Sequence, residues 1–79
     1  MSNKQIDLMQ HEKCVRDAGK HAWVAFNTAS MFIESESVKQ LRMWPEDYDA
    51  ICKALRESGH RSDGFYVGTI KIIRHNERG

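Results

Sequence analysis

The sequence predicts a small α+β domain, with two helices packed on a short two- or three-stranded sheet in the order α-β-β-α-β. Three observations predict it. Residues 43–59 carry every local signal of an amphipathic helix, and residues 65–74 are the most strand-like segment of the chain. With 79 residues in all, one small core must serve both, because a lone strand leaves its backbone groups unpaired. The chain therefore reads as a single compact domain over residues 1–79. A mostly α-helical dimer with a long N-terminal helix is the competing architecture.

From the N-terminus, Ser2 or Asn3 can cap a first helix, with Asp7 in its early turns. Ile6, Leu8, Met9, Val15 and Ala18 give it a ragged apolar side, and Gly19 ends or interrupts it. Residues 21–34 support two readings. Ala22, Ala25, Phe26, Ala29, Phe32 and Ile33 continue the stripe, which makes one long helix with an interior glycine costing roughly 1 kcal/mol against alanine. Alternatively residues 22–27 and 31–34 are extended, favoured by Trp23, Val24, Phe26, Phe32 and Ile33. The strand at 65–74 needs partners, which favours the extended reading. Ser35-Glu36-Ser37 then forms the turn between the first two strands, although Ser37 with Gln40 also fits a capping box. Residues 38–43 and a second subunit are further pairing candidates.

The helix at 43–59 is the best specified element. Pro45 suits the first helical position, and Glu46, Asp47 and Asp49 oppose the positive end of the helix dipole. Tyr48, Ile51, Cys52 and Leu55 recur at the spacing of one apolar stripe. Met43 and Tyr48 are placed as a hydrophobic staple, and Ser58-Gly59 reads as the stop. Beyond it, Tyr66, Val67, Thr69, Ile70, Ile72 and Ile73 favour an extended backbone between Ser62-Asp63-Gly64 and His75-Asn76. Gly68 within that run implies a bulge or the close approach of another backbone.

Composition narrows the function classes. The formal net charge of +1 argues against both an acidic nucleic-acid mimic and a strongly basic architectural protein. The charge is nevertheless polarised, since the segment after Cys52 carries +3 and the segment up to it −2. No apolar run reaches bilayer length, so no membrane role is expected. The two cysteines, Cys14 and Cys52, fall on predicted helix faces and no secretory signal precedes them. Reduced thiols and a cytoplasmic location follow as expectations.

No constellation fixes a chemistry. His11, Cys14 and His21 would share a face of one continuous helix and, with Cys52 or His60, could assemble zinc ligands. Paired ligand spacing is lacking, so neither a metal nor any other cofactor is expected. Cys52 beside Lys53 and Arg56 hints at a lowered thiol pKa, but core packing on the helix stripe explains it more simply. Glu34 and Glu36 have no accompanying pocket signal, and Gly59, Gly64 and Gly68 form neither a phosphate loop nor a dinucleotide fingerprint. An enzyme is not expected.

Two binding functions remain. Arg42, Trp44, Tyr48, Arg61 and Tyr66 are of the residue types that dominate protein interfaces, and they form the first candidate partner-binding set. Trp44 is the most informative of them, because it precedes Pro45 where a capping side chain would stabilise by about 1 kcal/mol. In size and lack of motif the chain resembles in type the small accessory proteins of phages and mobile elements. That implies a non-enzymatic regulator or inhibitor acting on a host or cellular protein by contact. A homodimer is also expected, through the strand at 65–74 or the N-terminal stripe. The alternative is a nucleic-acid-binding regulator using segment 56–78, with Arg56, Arg61, Lys71, Arg74 and Arg78 as its contacts.

Overall fold

The computed structural model describes residues 5–61 and 64–75. They form an α+β domain in which three α-helices cover one face of a four-stranded mixed sheet. In chain order these are β1 (Gln5–Asp7), a single 3-10 turn (Leu8–Gln10), α1 (Glu12–Ala18), α2 (Lys20–Ser30), β2 (Gln40–Met43), α3 (Pro45–Glu57), β3 (Gly64–Val67) and β4 (Ile70–Arg74). The sheet order is β1-β3-β4-β2. β3 and β4 are antiparallel, and each accepts a parallel strand from earlier in the chain on its outer side.

The α+β class is as predicted, while the element order and sheet size differ. α3 follows its local signals closely. Pro45 is its first residue, and Ile51, Ala54 and Leu55 are buried with Tyr48 and Cys52 packed beside them. It ends in a Schellman motif, with Gly59 N–H donating to the Arg56 carbonyl at 3.0 Å and His60 N–H to the Leu55 carbonyl at 2.8 Å.

Residues 20–30 are helical, which overturns the extended reading of 22–27. The reason is burial: Ala22, Phe26 and Ala29 recur on one stripe and all reach the core, whereas period-two alternation would put Ala29 on the face opposite Ala22 and Phe26. Nor is there one long N-terminal helix, because Gly19 separates α1 from α2 at φ +126°, a conformation other residues rarely adopt. Residues 31–34 are not a strand either, and Ser35 does not turn between strands. Its hydroxyl accepts from the amides of Ser37 and Val38 at 3.2 and 3.3 Å, leading the chain from α2 into β2. Gln40 opens that strand instead of closing a capping box.

Two further corrections concern the sheet. Ile6 and Asp7 lie in a strand and not in a helix, because β1 pairs with β3 and buries Ile6 beside Phe65. The proposed caps Ser2 and Asn3 lie outside the described residues, as do Ser62, Asp63 and Asn76. The expected single strand at 65–74 is a hairpin. Gly68 has φ +62° and no other residue of the turn has a positive φ, which is the pattern of a two-residue type II′ connection. β3 and β4 are thus flanked on both sides, so a dimer through the backbone edge of residues 65–74 has no free edge to use.

Strand alternation sorts the sheet into two faces. Phe65, Val67, Ile70 and Ile72 face the helices and are buried with Leu8, Val15, Ile51 and Leu55. Gln40, Arg42, Tyr66, Lys71 and Ile73 occupy the opposite, open face. Both cysteines are free, Cys14 buried and Cys52 half-buried. No buried polar side chain lacks a hydrogen bond among the described residues, and no helix there is long and apolar enough to cross a membrane.

The hairpin turn yields a stability prediction. An alanine Cβ at position 68 would lie 2.9 Å from Ile33 Cδ1, on a backbone that already disfavours any side chain. Gly68→Ala is expected to lower stability by more than about 1 kcal/mol, read from the urea midpoint at unchanged slope. Thr69→Ala, which deletes only an exposed hydroxyl bond to the Ile33 carbonyl, should cost about 1 kcal/mol or less. An unaffected midpoint in Gly68→Ala would contradict the turn assignment.

Candidate protein-binding surface

The surface with the clearest binding character lies where β2 runs into α3. Met43 is buried at the end of the strand, 3% exposed, while the next residue, Trp44, is 59% exposed. Its backbone is extended at φ −58° and ψ 144°, as a residue preceding proline requires. Trp44 is the N-cap of α3 and provides no side-chain capping bond. The indole instead stands edge-on to His75, with ring centroids 5.0 Å apart. A side chain that is neither core nor cap is left facing outward.

Beside it runs an apolar cleft of ≈ 230 Å³ between α2 and the edge strand β2. Ala25, Thr28 and Ala29 form its helical wall, and Leu41, Met43 and Trp44 its strand wall. Val24 and Met31 lie one turn to either side of Thr28 on the same helical stripe. They are 54% and 80% exposed. Of the four large hydrophobics exposed on the described residues, Trp44 lines the cleft, Val24 and Met31 share the α2 stripe of its lining residue Thr28, and Met9 lies elsewhere. The sequence reading missed Val24 and Met31. Their spacing around Thr28 becomes visible only once residues 20–30 are placed on a helix.

β2 is also an edge. The ladder to β4 uses the carbonyls of Lys39 and Met43, which accept from the amides of Lys71 and His75 at 3.0 and 2.8 Å. Strand alternation therefore turns the backbone N–H and C=O groups of Gln40 and Arg42 outward, away from the sheet. Cleft, edge and indole adjoin one another.

The other candidates separate. Arg42 alternates to the open face beside Ile73 yet also lines the Trp44 cleft at the strand edge, whereas Tyr66 is half-buried on the open face beside Lys71. Tyr48 is a packing residue and not a surface anchor, since its ring stacks on Phe65 at 4.4 Å. Burial raises its hydroxyl pKa, assisted by Cys52 and Asp49. Arg61 lines a different cleft with Ile6, His11 and His60. That cleft adjoins β1, three strand spacings or about 14 Å from β2 across the sheet.

The nucleic-acid set is dispersed too. Arg56 is exposed on α3, Arg61 is beside β1, and Lys71 is on the open face. Arg74 turns to the helical side, where its guanidinium donates two hydrogen bonds to Asp49 at 3.0 and 3.1 Å. Arg78 lies outside the described residues. These side chains do not form one continuous stripe.

His11 and His60 meet, with ring centroids 4.4 Å apart. His11 is the N-cap of α1 and not part of a continuous helix with His21, and Cys14 donates its thiol to Ser58 Oγ at 3.5 Å. Among the described residues no three His, Cys, Asp or Glu side chains are grouped to hold a metal. Burial pushes the Cys52 thiol up, with Asp49 adding to the effect and Arg56 and Arg74 opposing it. The sequence hint of a lowered pKa is thereby reversed, because desolvation of the half-buried sulfur outweighs its basic neighbours.

Comparison of the chain with protein-family models, with curated proteins and with solved structures gave no match. The functional reading therefore rests on the surface itself.

Two measurements check this geometry. In a Trp23→Phe variant Trp44 is the sole tryptophan, and its emission should be red-shifted and readily quenched; a blue, protected spectrum would place the indole in the core. The second is a pH dependence. The Arg74 hydrogen bond holds the exposed Asp49 carboxyl below its ordinary range. A depressed folded-state pKa stabilises above the unfolded value, and the benefit disappears as pH falls through the folded value. The stability difference between the parent and Asp49→Asn should therefore be present at neutral pH, begin to fall near about pH 4 and be lost once the pH drops below the depressed folded-state value. It will be small, since the pair is exposed.

Proposed function

We propose that this chain is a small non-enzymatic regulator or inhibitor that acts by binding another protein, of the type carried by phages and mobile elements. The observation that carries the reading is Trp44, held out of the core by Pro45 and Met43 beside a cleft walled on α2 by Ala25, Thr28 and Ala29. Tryptophan at the rim of an apolar cleft is a common anchor of protein interfaces, and removal of such an anchor often costs 2 kcal/mol or more, on the order of a thirtyfold loss of affinity. Arg42, next but one along β2, supplies the second residue type enriched at such anchors.

Dispersal of Arg56, Arg61, Lys71 and Arg74 over different faces favours protein contact over a phosphate-driven interface. A polyanion binder would lose affinity steeply with salt through counterion release. A complex anchored by a desolvated indole should respond much less.

Affinity capture from a bacterial lysate, with and without nuclease, tests the reading. A defined protein should be retained after nuclease treatment and lost when Trp44→Ala replaces the parent chain. Because the indole is largely exposed, that variant should keep its stability within about 0.5 kcal/mol. Retention of nucleic acid alone, or capture indifferent to Trp44, would sink the proposal.

A further inference from the structure

The surface at β2 also has features that specify the conformation and chemistry of its partner. We propose that the occupant is an extended segment of the partner protein whose side chains alternate between apolar and acidic, and that it adds to the sheet along the free edge of β2. The inference rests on the protein-contact reading and deepens it.

Backbone geometry comes first. Gln40 and Arg42 present N–H and C=O groups outward, and no further described strand pairs with them. An added strand satisfies these groups through main-chain bonds, the usual source of affinity in strand addition. Side-chain alternation then determines which residue types the new strand needs. Positions level with Leu41 and Met43 point to the helical side, over the cleft walled by Ala25 and Ala29, and call for apolar side chains. Positions level with Gln40 and Arg42 point to the open face.

Charge on that face selects the second half of the pattern. Arg42 is exposed there, and Lys71 is exposed in register with Gln40. Lys39, also exposed, immediately precedes the strand on the Leu41 side of the alternation. Among the described strand residues the open face carries one carboxylate, Asp7 on the far strand β1, whose Oδ1 already accepts from the amides of Met9 and Gly68. Asp47 lines the cleft on the helical side, in the first turn of α3. Carboxylates on the incoming strand would therefore meet cations across the new pairing.

The same charges disfavour a second copy of this chain as the occupant. Antiparallel pairing of two β2 edges about Leu41 would set the two Arg42 side chains diagonally across the twofold axis on the open face, with Lys71 of each copy one strand further in. Like charges at that spacing oppose the pairing.

The test uses the full chain labelled with 15N and blocked synthetic peptides of equal length. One peptide alternates valine and glutamate, one alternates valine and lysine, and one has the glutamates contiguous. A fourth repeats the first with alternate amides N-methylated on its pairing edge. The valine–glutamate peptide should shift the amides of Gln40 and Arg42 and bind about tenfold more tightly than the lysine peptide. N-methylation should abolish binding, and Arg42→Glu, with its fold verified by circular dichroism, should reverse the preference between the two charged peptides.

Equal binding of the contiguous peptide, indifference to N-methylation, or shifts centred on Tyr66 and Lys71 would overturn strand addition at this edge. So would shifts at Gln40 and Arg42 that grow with protein concentration and without peptide, which would assign the edge to a second copy. If these peptides fail while lysate capture still depends on Trp44, protein binding stands and only the extended acidic occupant is refuted. Loss of Trp44 dependence alongside peptide binding would reject the anchor instead.

Discussion

Asp7 Oδ1 accepts the amide of Gly68 at 3.0 Å across 61 positions of sequence, and much of the fold depends on that contact and its neighbours. The same oxygen accepts from Met9 at 3.0 Å, turning the chain out of β1. On the other side of the hairpin tip, Thr69 donates its hydroxyl to the Ile33 carbonyl at 3.1 Å, and the Ile33 side chain lies over Gly68. Three distant parts of the chain therefore meet at one tight turn. Among the described strands the β3-β4 hairpin is the locally formed pair; both outer strands are parallel to their partners and reach them through long connections.

This arrangement explains why the binding surface lies at β2. The centre of the sheet is paired on both sides, so unpaired backbone can be presented only at β1 and β2. At β2 the strand passes directly into α3 through Met43, Trp44 and Pro45. Burial of Met43 and the fixed φ of Pro45 leave the residue between them extended and exposed. The local geometry that starts the helix is thus the geometry that presents the indole. Sacrificing a capping side chain there is the cost, about 1 kcal/mol by the usual scale.

Electrostatics add position more than stability. The Asp49–Arg74 pair is exposed at both ends and ties α3 to the end of β4. By engaging Arg74 on the helical side it removes a cation from the set that nucleic-acid binding would have required. Among the described strand residues, the open-face cations Arg42 and Lys71 near β2 are matched by one acid on that face, Asp7 on the far strand. That local imbalance is invisible in a net charge of +1.

Much of α3 was legible from sequence alone, because proline placement, first-turn acids, apolar period and terminal glycine are all local and all agree. The extended character of 65–74 and the anomaly at Gly68 were legible too. Trp44 could be singled out by its position before Pro45. Tertiary structure decided the rest. Residues 22–34 have both helical and strand propensity, and only the surfaces of α1 and α3 select the helix by burying Ala22, Phe26 and Ala29. β1 is three residues long and has no periodicity to read; its conformation comes from pairing with β3. The cleft beside Trp44 combines a helix face with a strand edge, so it required the packing of α2 against β2. Local backbone preferences are written within a few residues of each position, whereas pairing and burial depend on partners tens of residues away.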